Sequence, residues 1–132
     1  MKVNIICPHC RSALNAKKNI ILVAKKPHEK NNQGLVLLHE EIGNYTVATS
    51  PTLIVETGDE VDFYCPICGT MLNSAKGDKL ANFTRIDEAG EETTIVISRI
   101  YGDRCTFQVD DTKKVKSYGE SVQKYLDPEW FL

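Results

Sequence analysis

Two segments, Cys7-Pro8-His9-Cys10 and Cys65-Pro66-Ile67-Cys68, limit this chain more than any other feature. A C-P-x-C turn aims two sulfurs at one point, with Pro fixing the first bend. The residue after the second cysteine often needs positive φ. Gly69 supplies it without strain, whereas Arg11 occupies that place in the first turn. Either the first turn differs, or Arg11 sits in an unfavourable backbone region. Five cysteines, four of them in two such pairs, suggest metal rather than disulfides. A thioredoxin-type redox pair is a poor fit, because there are two pairs and no βαβ pattern around them.

The two turns belong to a repeat. Residues 3–18 read VNIICPHCRSALNAKK and residues 61–76 read VDFYCPICGTMLNSAK, an offset of 58 with no gap and seven identities in sixteen positions. Asn4/Asp62, Ser12/Thr70, Ile5/Phe63 and Ile6/Tyr64 are similar in type. A weaker similarity continues at an offset of 59 to 60: Leu35–Leu38, Gly43-Asn44 and Tyr45–Val47 match Ile95–Ile97, Gly102-Asp103 and Cys105–Phe107. The chain is expected to be one domain, 1–132, with pseudo-repeats over about 1–58 and 59–112 and a C-terminal segment over about 113–132.

Around the cysteines the chain resembles the two knuckles of rubredoxin-like zinc ribbons. The resemblance covers about 25 to 30 residues and does not extend to the strands that follow. It implies that Cys7, Cys10, Cys65 and Cys68 face one another across a single metal, one structural Zn²⁺ held by four thiolates. The 54 residues between the pairs are many for a simple ribbon, so a β-rich unit must fill the gap. With each half led by a knuckle, the metal would lie near a pseudo-twofold axis, and its binding energy would count as folding energy. Iron fits the same four sulfurs and remains an alternative, with electron transfer as its function. Catalytic zinc normally keeps an open position, and four cysteines leave none.

The expected fold is mainly β: an antiparallel sheet containing the zinc ribbon, plus one C-terminal helix. Runs rich in Val, Ile, Thr, Tyr and Phe predict strands near 3–7, 20–26, 35–40, 45–49, 60–65, 81–87, 93–100 and 104–110. Gly43-Asn44 and Gly102-Asp103 predict tight hairpin turns, Glu88–Glu91 another turn, and Pro27–Gln33 an exposed loop. A helix is expected near 117–126, with Ser117 and Glu120 as a capping box and Tyr118, Val122, Tyr125 and Leu126 on one face. Trp130, Phe131 and Leu132 either dock on the chain's own sheet or anchor a partner.

Composition narrows the function classes. Hydrophobic residues at 42% and charged residues at 26% describe a globular chain with a real core. No run approaches a membrane helix and the start carries no secretory pattern, so no membrane partner is expected and the location is read as cytoplasmic. The formal net charge of −2 argues against a surface given over to phosphate contacts. The charge is uneven, however. Residues 1–30 hold seven Lys/Arg and one Glu, a net of +6, and residues 31–63 hold six Asp/Glu and no Lys/Arg, a net of −6. These segments either neutralise each other across strands or leave a basic face around Lys17, Lys18, Lys25, Lys26 and Lys30 for a nucleic acid or acidic partner.

Cys105 reads as a small buried hydrophobe, His9 and His28 as exposed, and His39 as a surface or satisfied histidine. No nucleophile elbow, phosphate-binding glycine loop or H-E-x-x-H is present, so no enzyme is expected. The favoured function is a non-enzymatic zinc-ribbon adaptor or regulator that binds a protein. A transcription- or ribosome-linked ribbon using Lys17, Lys18, Lys25 and Lys26 is second. Open strand edges also allow a homodimer.

Overall fold

Alternating apolar residues set the strands, and the knuckles set how they are exchanged. The computed structural model describes residues 3–29, 31–73 and 79–119. Among them are ten strands: β1 (Asn4–Ile6), β2 (Asn15–Ala16), β3 (Asn19–Lys25), β4 (Gln33–His39), β5 (Val47–Thr49), β6 (Asp62–Tyr64), β7 (Leu80–Ile86), β8 (Glu92–Ser98), β9 (Thr106–Val109) and β10 (Val115–Tyr118). One sheet runs β1-β7-β8-β9-β10. The other runs β2-β3-β4-β5, with β6 also on β3. The ladders between these strands are antiparallel. The architecture is mainly β, as the sequence leads one to expect.

Each knuckle strand pairs with the opposite half. β1 lies on β7 with Ile5 opposite Arg85, and β6 lies on β3 with Phe63 opposite Ala24. The ladders match in detail. The seven-residue pairing of β3 with β4, from Asn19↔His39 to Lys25↔Gln33, has its counterpart in β7 with β8, from Leu80↔Ser98 to Ile86↔Glu92. Glu40 N–H donates to Lys18 O, and Arg99 N–H donates to Lys79 O at the corresponding corner.

One core joins the two sheets. Ile20, Leu22 and Ala24 point inward from β3, Ala81 and Phe83 from β7, and Ile5 and Phe63 from the knuckle strands; Cys7 and Cys65 close the cluster. A second group, Leu80, Val96, Cys105 and Phe107 with Val115 against it, is buried on the other face of the first sheet. Cys105 is buried, as expected of a small hydrophobe. Arg99, also buried, donates from Nε to Val61 O at 3.1 Å and pairs with Asp62 and Glu60, which fixes the strand leading to the second knuckle. Such an ion pair adds little net stability, yet removing one partner strands a charge.

Three expectations change. The turns at Gly43 and Gly102 are not two-residue hairpins. Residues 40–46 separate β4 from β5, and residues 99–105 separate β8 from β9. Both glycines do have positive φ, 91° and 89°. Tyr45 explains the longer path: its hydroxyl lies 3.0 Å from Thr106 Oγ1 and donates to Tyr118 O at 2.9 Å, tying the first loop to β9 and β10. Ser117 and Tyr118, expected to open a helix, lie in β10 opposite Phe107 and Thr106. Val115-Lys116-Ser117-Tyr118 continues the β9 ladder, which satisfies its backbone groups at once. The rest of the expected helix, with Trp130, Phe131 and Leu132, lies outside the described residues. Among the described residues no helix is long and apolar enough to cross a membrane.

A cavity of about 300 Å³ opens from the core to the surface, lined by Ile5, Phe63, Phe83 and Ile95 and by residues of the 40–46 and 100–104 loops.

Gly34, opposite Ala24 on β3, lets the chain at 50–53 close over β4. A Cβ there would run into Ser50 Oγ and Thr52 Oγ1, and Ser50 Oγ accepts from Leu35 N–H at 2.9 Å. Gly34→Ala is expected to cost about 1–3 kcal/mol in urea denaturation, the usual range for overpacking.

Candidate metal centre

The two knuckles fold by the same hydrogen bonds. Arg11 N–H donates to Cys7 O and Gly69 N–H to Cys65 O, both at 2.9 Å. Cys7 N–H donates to Ser12 O and Cys65 N–H to Thr70 O, both at 3.0 Å. The position after each second cysteine is left-handed, with φ 61° at Arg11 and 76° at Gly69. The departure seen in the sequence is therefore carried as backbone strain at Arg11, not as a different turn. The Arg11 guanidinium reaches Glu92 at 3.0 Å, but that pair is half exposed and offsets little.

These turns bring all four cysteines together. Their sulfurs lie within 4.8 Å of one another and could hold a metal ion. Cys7 Sγ is 3.8 Å from Cys68 Sγ, and Cys10 Sγ is 3.8 Å from Cys65 Sγ. A tetrahedron with metal–sulfur bonds of about 2.3 Å has edges of about 3.8 Å, so the separations fit a thiolate-bound ion. They are far too long for disulfides, and all four thiols are free.

The first cysteine of each knuckle, Cys7 or Cys65, is buried, and the second, Cys10 or Cys68, lies nearer the surface. Donors surround the sulfurs. His9 N–H reaches Cys7 Sγ and Ile67 N–H reaches Cys65 Sγ, both at 3.3 Å, and Cys68 N–H reaches Cys65 Sγ at 3.4 Å. Thr70 Oγ1 lies 3.3 Å from Cys68 Sγ, where its hydroxyl can donate to the thiolate. That hydroxyl is the main cause bringing the Cys68 thiol down to about 6, and the Ser12 hydroxyl lowers Cys10 in the same way. Burial pushes the Cys7 thiol up to about 11. Ser12 and Thr70 thus matter to the site. Their signal in the sequence is a hydroxyl two places after the second cysteine in both repeats.

The other sequence candidates fall elsewhere. His9 contributes its backbone N–H to the site and leaves its ring exposed. His39 accepts from Glu41 N–H at 3.0 Å through Nδ1, a local turn contact. Lys26 pairs with Glu29 at 2.9 Å and Asp59 at 3.3 Å, and Lys25 Nζ sits 4.7 Å above the Tyr64 ring. Lys17 and Lys18 form a left-handed turn between β2 and β3. No protein-family model, curated protein or solved structure matches the chain.

Metal binding needs thiolates. Cys7, raised, must release a proton to bind near neutral pH, and Cys68, lowered, is reprotonated as pH falls through about 6. Affinity for Co²⁺, read from its thiolate absorption, is expected to rise with pH and to drop most steeply below that value. Thr70→Val should weaken Co²⁺ binding by roughly 10- to 100-fold, as loss of a supporting hydrogen bond does at metal sites. Gly69→Ala meets open space, so its cost should be backbone strain alone, ~1 kcal/mol in denaturation.

Proposed function

We propose that this chain is a non-enzymatic zinc-ribbon protein that holds one structural Zn²⁺ through Cys7, Cys10, Cys65 and Cys68 and binds a protein partner as an adaptor or regulator. The observation that carries the reading is the cluster of four sulfurs within 4.8 Å of one another: four thiolates on one ion would leave no position for substrate. Zinc is favoured over iron because rubredoxins are short chains with little outside the metal site, whereas most of this chain builds two sheets. Free thiols in every described cysteine suit a reducing compartment such as the cytoplasm.

A duplicated ancestor accounts for the matched ladders. In this view each half keeps its own knuckle, lends that strand to the other half, and is locked there by the shared ion. A protein partner is favoured by the second knuckle, where Ile67 is 64% exposed and Met71 is half-exposed. Apolar side chains at the centre of a patch suit protein interfaces. The nucleic-acid reading loses two of its four lysines to local contacts, Lys25 to Tyr64 and Lys26 to Glu29 and Asp59.

Metal analysis of the native protein, together with affinity capture, tests this reading. One equivalent of zinc in a colourless protein is expected, and visible thiolate-to-iron absorption would reject zinc. Chelation should unfold the chain, since structural zinc contributes on the order of 10 kcal/mol to folding. A specific captured protein should be lost with Ile67→Asp while zinc is retained. Salt-sensitive retention on nucleic acid, abolished by reversing Lys17 and Lys18, would overturn the protein-partner assignment.

A further inference from the structure

We infer that the cavity between the sheets is a binding site for a small aliphatic acid, with Arg85 as the group that holds its carboxylate. Arg85 follows Ala81 and Phe83 at every second position of β7, the row that faces the core. It lines the cavity, and its Nε is buried with no hydrogen-bond partner. The ion pairs found among the described residues involve Arg11, Lys26 and Arg99, not Arg85. A buried guanidinium N–H without a partner calls for an acceptor, and a carboxylate is the acceptor whose geometry it matches.

The surroundings define the remainder of the ligand. Ile5, Phe63, Phe83 and Ile95 line the interior, and about 300 Å³ is at the small end of ligand pockets. A medium-length alkyl chain suits that space. The position equivalent to Arg85 on β3 is Ala24, since Phe63↔Ala24 in one ladder corresponds to Ile5↔Arg85 in the other. The small side chain on one sheet leaves room opposite the long cation on the other. Glu40, Glu41 and Asp103 also line the cavity. Glu40 accepts from Asn15 at 2.6 Å and Asp103 accepts from Ser98 at 3.0 Å, so both carboxylates have donors of their own. Arg104 lines the cavity as well, so the rim carries both signs, and the carboxylate must reach Arg85 rather than rest at the entrance.

Calorimetric titration of the metal-loaded full chain with hexanoate, octanoate and decanoate, and with octanol and octylamine as controls, tests the assignment. Saturable one-to-one binding of a carboxylate is expected, tighter than octanol by roughly tenfold, the worth of one charge-assisted hydrogen bond. Arg85→Gln should bring the carboxylate to the level of octanol and leave octanol unchanged, and Arg85→Lys should restore part of the difference. Circular dichroism checks that the variants fold, and the carboxylate-against-octanol comparison on the unaltered chain stands without them. The assignment is overturned by an absence of saturable binding, by octanol or octylamine binding as tightly as the carboxylates, or by Arg85→Gln leaving carboxylate affinity unchanged.

Discussion

Four sulfurs held within 4.8 Å of one another are the constraint on which the other contacts depend. Thiolates at such separations repel, and even with solvent screening each pair would oppose folding. Either protons or a cation must neutralise them. The burial of Cys7 and Cys65 sharpens the choice, because a buried thiolate without a counter-charge is costly. Protonated, the site is a weakly polar knot at the end of the core. With a divalent cation it joins residues 7 and 65, far apart in sequence, at a point where both knuckle strands enter foreign sheets.

That exchange of strands explains why two sheets share one core. β1 covers the edge of β7 and β6 covers the edge of β3, so each sheet is completed by the half that does not otherwise build it. Neither half could bury its own Ile5 or Phe63 without the other. Arg99 with Asp62 and Glu60, and Tyr45 with Thr106 and the Tyr118 carbonyl, reinforce the joint from the two far sides. Backbone strain is placed beside the same joint, at Arg11, where φ is 61°.

Much of this was readable in the sequence because it is local. Alternation located eight of the ten described strands to within a few residues, and C-P-x-C spacing picked out all four clustered cysteines. What escaped is non-local. β2 is two residues long and has too little sequence to show a period. β10 carried a capping signal, Ser117 with Glu120, that is overridden at Ser117 and Tyr118 by the β9 ladder. The loops at 40–46 and 99–105 are set by what Tyr45 and Arg99 reach across the molecule, which turn propensity cannot show. Ser12 and Thr70 were visible as a matched pair, but their role needed the distance from Thr70 Oγ1 to a sulfur.

The departures from the repeat carry as much meaning as the matches. Two matched ladders that only needed to build a scaffold could keep the same small apolar residue at both places facing the cavity. The chain has Ala24 in one half and Arg85 in the other. A buried Nε without a partner on Arg85 opposes folding unless something answers it. The cavity lies beside it, and a larger residue than Ala24 would fill part of that space. An unfavourable feature beside a cavity, in a fold otherwise completed by paired strands, is what a retained binding site produces. A metal bound there would have a second consequence: by fixing Cys7 and Cys65 it would fix Ile5 and Phe63, two residues before each, and so hold the inner wall of that cavity in place.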